Sequence, residues 1–173
     1  MSKVTYFILF LLLAFLAFKF LIKKNGASQG EIAPEIKTQL IDGSDFKLSD
    51  LQGNYVFLDF WGSWCPPCRK ENPQIAALYQ KFKDAAFSDA EGFKVVTVAI
   101  EKNDKTWRSA AEKDGFVWKH QIVEESQFVA ISSIARKYGV TDLPTKFLIN
   151  PDGTLVGKVD IQFVNGLLTS KLK

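Results

Sequence analysis

The segment Tyr55-Val56-Phe57-Leu58-Asp59-Phe60 leads through Trp61-Gly62-Ser63-Trp64 into Cys65-Pro66-Pro67-Cys68, which holds the chain's only two cysteines. A near-continuous apolar run reads as a strand covered on both faces, the habit of parallel sheets. Proline is favoured in the first turn of a helix, where its missing N–H has no intrahelical partner to lose. A buried strand that gives way within a few residues to a proline-started helix predicts a β–α unit, and repeated units of that kind build a layered α/β fold. Two thiols at this spacing, on one side of a helix start, close into a small ring and reopen without moving the fold. Such a bridge removes little unfolded-state entropy. The pair suits electron exchange better than stapling.

Charge is unevenly placed. Four of the 22 basic residues, Lys3, Lys19, Lys23 and Lys24, lie in the first 24 positions, where no acidic residue occurs; the rest of the chain holds 18 basic against 19 acidic side chains. A near-neutral body gives no electrostatic footprint for nucleic acid, and no such partner is expected. From Val4 to Ile22 only Thr5, Tyr6 and Lys19 interrupt aliphatic and Phe residues. At about 1.5 Å per residue this run reaches about 28 Å, close to the hydrocarbon thickness of a bilayer. A cleaved signal peptide has a shorter apolar core and a small-x-small site, and a globular surface helix keeps a polar face. The expectation is an uncleaved transmembrane anchor over residues 1–24, a flexible linker over 25–33 and one domain over 34–173. Basic residues flank both ends of the span, so charge alone does not choose its orientation.

The domain reads as strands alternating with helices. Asp42-Gly43 predicts a hairpin within Ile36 to Leu48, and Ser49-Asp50-Leu51 a single helical turn. Strands are expected at Tyr55–Trp61, Lys94–Ile100, Val117–Val123, Thr145–Ile149 and Leu155–Val159. Helices are expected at Pro66–Lys83, Lys105–Asp114 and Gln127–Tyr138, with a last one closing the chain.

Chemistry centres on Cys65. It sits at or just before the helix start, where unpaired N–H groups and the helix dipole stabilise an anion, and thiolate is the reactive form. Cys65 is the expected nucleophile, and Cys68, one turn on, the resolving thiol. Two carboxylates are candidate proton acceptors. Asp59 lies inside the apolar strand, where ionisation is costly and a raised pKa follows. Glu71 is three residues beyond Cys68, on an adjacent helix position. Pro73 is expected to kink the helix. A zinc site needs about four ligands, and two Cys with one distant His120 do not supply them; no metal or cofactor beyond the redox disulfide is expected, and His120 has no assigned role.

These residues together resemble the thioredoxin superfamily. Phe60 to Cys68, with Glu71 and Pro73, is similar to the membrane-anchored TlpA/ResA-like thiol–disulfide oxidoreductases. Tyr138-Gly139-Val140, then Leu143-Pro144-Thr145-Lys146-Phe147-Leu148-Ile149-Asn150-Pro151-Asp152-Gly153, matches that family's second signature. The resemblance implies a three-layer α/β/α fold with a central mixed sheet, an added N-terminal hairpin and an insertion ahead of a cis Pro144. It implies that Leu143 receives a substrate strand, with Trp64, Pro66 and Pro67 as further substrate-binding residues. Lys146 stands where Thr is usual in the family, a departure that bears on substrate choice. Having both Asp59 and Glu71 leaves the proton route open, because many ResA-like members lack the Asp. The resemblance further implies a single-pass protein of the bacterial cytoplasmic membrane with its domain on the periplasmic or extracytoplasmic side. Its expected substrates are cysteine-containing exported proteins, including apocytochrome c in cytochrome c biogenesis, and its electron donor is a membrane thiol carrier. A monomer is expected.

Two rival readings remain. A peroxiredoxin-like peroxidase shares the fold, but its nucleophile sits in Pro-x-x-x-Thr-x-x-Cys, and position 62 is Gly. A copper- or thiol-binding module of this fold uses a Cys-x-x-x-Cys spacing with a nearby His, which this chain does not match.

Overall fold

The computed structural model describes residues 3–23, 26–103 and 106–173. The elements in chain order are α1 (Lys3–Lys23), β1 (Lys37–Gln39), β2 (Asp45–Lys47), a 3-10 turn (Leu48–Leu51), β3 (Asn54–Trp61), α2 (Pro66–Phe82), β4 (Gly92–Glu101), α3 (Trp107–Lys113), β5 (His120–Glu125), a second 3-10 turn (Val129–Ile131), α4 (Ser133–Lys137), β6 (Thr145–Ile149), β7 (Leu155–Lys158) and α5 (Ile161–Ser170).

Five strands form one sheet in the order β5-β4-β3-β6-β7. β3, β4 and β5 run parallel, and β6 and β7 are antiparallel to their neighbours. β1 and β2 form the separate hairpin that Asp42-Gly43 predicts. The expected mixed sheet between two layers is therefore present. Side chains alternate across β3: Tyr55, Phe57 and Trp61 pack with α2, α3 and α5, whereas Val56, Leu58 and Phe60 pack with the hairpin and α4. Each fully buried Phe or Leu here contributes about 1.5–3 kcal/mol of burial energy. Asp59 is thereby committed by strand period to the α2 face, the face that carries the cysteines.

Four expectations need correction. The strand expected at Val117–Val123 begins at His120, because Val117 is exposed and Trp118 turns into the core instead. The helix expected over Gln127–Tyr138 is broken at Ser132, whose backbone is extended (φ −55°, ψ 133°). Ser132 donates its hydroxyl to Glu124 at 2.5 Å and accepts the Ala135 N–H at 3.0 Å, so it caps a new helix rather than continuing the old one.

The linker is not a free tether from Gly26 onward. Gly30 donates to Leu155 O at 2.8 Å, Leu155 to Glu31 O at 2.8 Å and Ala33 to Gly153 O at 2.9 Å, so this stretch runs along β7. A Cβ on Gly26 would lie 3.3 Å from Gly139 Cα, a backbone approach that glycine allows. Lys24 and Asn25, at the expected junction of anchor and linker, lie outside the described residues.

The expected transmembrane helix is not found: among the described residues no helix is long and apolar enough to cross a membrane. The apolar run is helical within α1, with its side chains described from Thr5 to Leu16. All of those side chains are exposed.

Candidate active site

Cys65 is the N-cap of α2, with an extended backbone, and Pro66 and Pro67 open the helix. Its sulfur accepts the Cys68 N–H at 3.3 Å, one of the first-turn donors that has no partner within the helix. The two sulfurs are joined as a disulfide. Cys65 is 4% exposed and Cys68 1%. An anion formed on Cys65 Sγ upon reduction is therefore met by a backbone N–H and the positive end of a 17-residue helix. Pro73 lies inside α2 and leaves the Arg69 carbonyl without its usual helical donor.

The loop before Cys65 is held from β4. Glu101, buried at that strand's end, accepts the Ser63 N–H at 2.6 Å and the Ser63 hydroxyl at 2.8 Å. Ser63 Oγ also bonds Thr106 Oγ1 at 2.8 Å. Trp64 is 50% exposed, yet its indole N–H donates to Ile100 O at 2.8 Å, fixing the ring beside the disulfide. Gly62 is required by this arrangement. A Cβ there would lie 2.8 Å from Trp64 Nε1 and 3.1 Å from Ile100 O, so the Thr of a peroxidase motif does not fit.

On the α2 face of the sheet, three ionisable groups line up across β3, β6 and α2. Asp59 is 1% exposed and neither carboxyl oxygen has a hydrogen-bond partner. Burial pushes its pKa up, Lys146 draws it down and Glu71 raises it further, leaving it at about 7. Lys146 is the cross-strand partner of Asp59 in the β3–β6 register. It is 6% exposed, with Nζ 3.8 Å from Asp59 Oδ1 and hydrogen-bonded to Glu71 Oε2. Glu71 is half-exposed at the outer end of the group.

The Leu143–Pro144 peptide is cis. Thr145 pairs with Phe60, which puts Pro144 at the end of the sheet from which the cysteine loop leaves. Leu143 packs against the cluster that contains both cysteines. Pro144, Glu71, Lys146 and Asp160 line a shared surface groove. A more enclosed apolar hollow, lined by Leu48, Leu51, Val56 and Ile149 among others, lies at the opposite end of β3 from the cysteine loop. His120 stacks near Phe46, with ring centroids 5.6 Å apart, and burial lowers its pKa. Among the described residues no group of three or more His, Cys, Asp or Glu is placed to hold a metal ion.

Asp59, Trp64, Cys65, Pro66, Pro67, Cys68, Glu71, Leu143 and Pro144 thus fall toward this end of the sheet and His120 does not, while two polar neighbours of the group were missed. Lys146 was assigned to substrate choice; its signal was a lone cation inside Thr145-Lys146-Phe147-Leu148-Ile149, which parity places on the same face as Asp59. Glu101 had a fainter signal, a carboxylate closing the apolar run of β4.

Comparison with known proteins agrees with this geometry. The AhpC/TSA family pattern matches residues 29–158. The chain is 32% identical over 149 residues to the thiol-disulfide oxidoreductase ResA of Bacillus subtilis (strain 168), covering 86% of this chain and 74% of that protein. It is 31% identical over 150 residues to ResA of Geobacillus thermodenitrificans (strain NG80-2), covering 84% and 79%. Among solved structures, the thioredoxin domain of a thiol-disulfide oxidoreductase from Bacteroides vulgatus superposes with a TM-score of 0.69 at 27% identity, covering 83% of this chain and 99% of that one. A thiol:disulfide interchange protein from Bacteroides sp. gives 0.68 at 28%, covering 83% and 91%. The chain belongs to the AhpC/TSA family, and within it is a thiol–disulfide oxidoreductase of the ResA type.

Proposed function

We propose that this chain is a membrane-tethered reductase of disulfides in exported proteins, with Cys65 as nucleophile and Cys68 as resolving thiol. One observation carries the reading: Cys65 Sγ, at the start of α2, receives a first-turn N–H from the residue it must later pair with. In the reduced protein the Cys65 thiolate attacks one sulfur of a substrate disulfide. A mixed disulfide forms, and the substrate's other sulfur leaves as thiolate. Cys68 then gives its proton to a base, for which Asp59 is the candidate, and its thiolate attacks Cys65 Sγ. The Cys65–Cys68 bond forms, the mixed disulfide breaks, and the second substrate sulfur leaves. Two electrons have passed from the dithiol to the substrate. Leu143, Trp64, Pro66 and Pro67 form the surface that receives the substrate chain.

Two neutral prolines between the cysteines add no cation to stabilise the thiolate, which favours a reducing pair. The tether is supported by the apolar run from Val4 to Ile22 and by the exposed apolar side chains of α1. The resemblance to ResA-like proteins is the ground on which we place the domain on the extracytoplasmic side, with a membrane thiol carrier as its electron donor. Apocytochrome c is the substrate we propose to try first.

Equilibrating Cys65/Cys68 against defined thiol buffers tests the direction of flow. A potential below about −220 mV supports a reductase, whereas one near about −120 mV makes the protein a disulfide donor. Cys68→Ser should trap substrate on Cys65 as a mixed disulfide, and Cys65→Ser should trap none. Rapid peroxide consumption without disulfide exchange would overturn the reading.

A further inference from the structure

Lys146 is a cation in a buried strand, followed by the apolar Phe147, Leu148 and Ile149. It faces two acids but bonds only one. Its ammonium is hydrogen-bonded to Glu71, and it stands 3.8 Å from an Asp59 carboxyl that nothing else contacts by hydrogen bond. Buried carboxylates are normally satisfied, and an unpartnered one is free to change its proton. A shift of Nζ by about 1 Å brings Asp59 within the usual N–H···O distance.

We propose that Lys146 is a positioning residue that connects the buried Asp59 carboxyl to water through Glu71, so that Asp59's proton leaves by the groove beside Pro144. This rests on the reading of Asp59 as the acceptor of the Cys68 proton. The transfer balances. Asp59 gives its proton to Lys146 Nζ as Lys146 gives one to the Glu71 carboxylate. The ammonium is unchanged, and Glu71 releases the proton to water in the groove. Asp59 is left ionised beside the cation and ready for the next Cys68 proton.

The surroundings are sparse in charge. Lys146 comes from β6 and Glu71 from α2, and Asp160, at the head of α5, lines the same groove. On the β4 side the register partner of Asp59 is Thr97, whose hydroxyl accepts the Trp118 indole N–H and carries no charge. On α2, Cys68 precedes Glu71 by three residues.

The test is a 13C NMR titration of aspartate side-chain carboxyls in the oxidised full chain in detergent micelles, with Asp59→Asn assigning the signal. Lys146→Met should move the Asp59 midpoint up by about one pH unit or more. Glu71→Gln should move it down, because the cation is then left to Asp59 alone. Lys146→Arg should stay near the parent. The opposite signs show that one cation is shared between two acids. The route itself is read by turnover, which should fall in Glu71→Gln where Asp59 must release its proton; unchanged turnover there overturns it. An unmoved midpoint in Lys146→Met, or an upward shift in Glu71→Gln, overturns the proposal; if Lys146→Met does not fold, Glu71→Gln and Lys146→Arg decide. Turnover against pH should follow the same two directions. If Asp59→Asn leaves that profile unchanged, the acceptor reading falls, while the carboxyl titrations still decide the role of Lys146.

Discussion

Asp59 and Glu101 are two carboxyl groups on neighbouring strands, both 1% exposed, and they lead opposite lives. Glu101, at the tip of β4, accepts two hydrogen bonds from Ser63 and anchors the loop that carries the cysteines. Asp59, midway along β3, accepts none and has its pKa pushed up to about 7 by burial. Burial alone does not make a carboxylate reactive. What separates the two is whether backbone and hydroxyl donors fix the charge, as at β4, or leave it to a single lysine that a second acid also holds.

The largest expected effect follows from the sign of the Asp59 shift. Its folded pKa is raised above the unfolded value near 3.8. The folded state therefore holds the proton more tightly between those two values, and stability falls as pH rises from about 4 to about 7. The loss is on the order of 4 kcal/mol for a shift of this size. Asp59→Asn removes it, so the variant should be more stable than the parent at pH 8 and should lose that advantage by pH 4. Urea unfolding followed by tryptophan fluorescence reads this cleanly, since Trp61, Trp64, Trp107 and Trp118 all lie in the domain. A parent whose stability is flat from pH 4 to 8 would break the comparison.

On the Glu101 side, Gly62→Thr should cost about 3 kcal/mol, because the new side chain must push Trp64 off Ile100 O. Glu101→Gln should cost about 2 kcal/mol at pH 8, as a charge-assisted acceptor of two bonds becomes a neutral one. The same carboxyl-to-amide change is thus expected to stabilise at position 59 and destabilise at 101. Equal signs would mean that the hydrogen bonds at Glu101 do not distinguish the two sites.

Much of this was legible in the chain. The run from Tyr55 to Trp61 announced β3, Pro66 announced the start of α2, and the place of Asp59 within an apolar strand announced its raised pKa. Those signals are local, so one segment carries each of them. Lys146 and Glu101 were not legible in the same way, because each acts through a partner far along the sequence: Lys146 with Glu71 and Asp59, Glu101 with Ser63. Register across β3 and β6 brings the first set together, and only the sheet order supplies it. The break at Ser132 was hidden for the same reason. The apolar spacing of Val129, Ile131 and Ile134 fits one helix, and Glu124 on β5 is what draws the Ser132 hydroxyl aside to start another.

Ser63→Ala is the smallest change and the finest probe of how Glu101 holds the loop. The serine offers two donors to that carboxylate, its N–H at 2.6 Å and its hydroxyl at 2.8 Å, and the substitution removes only the second. It also ends the contact with Thr106 Oγ1. If the backbone bond does most of the holding, the cost should be about 1 kcal/mol or less, roughly half that of Glu101→Gln, with the Cys65/Cys68 potential unchanged. If the alanine variant is instead as unstable as Glu101→Gln, the hydroxyl pair with Thr106 is the anchor. The loop would then be fixed from the start of α3 as much as from β4, and the contrast with Asp59 would rest on two donors from different elements rather than on one carboxylate.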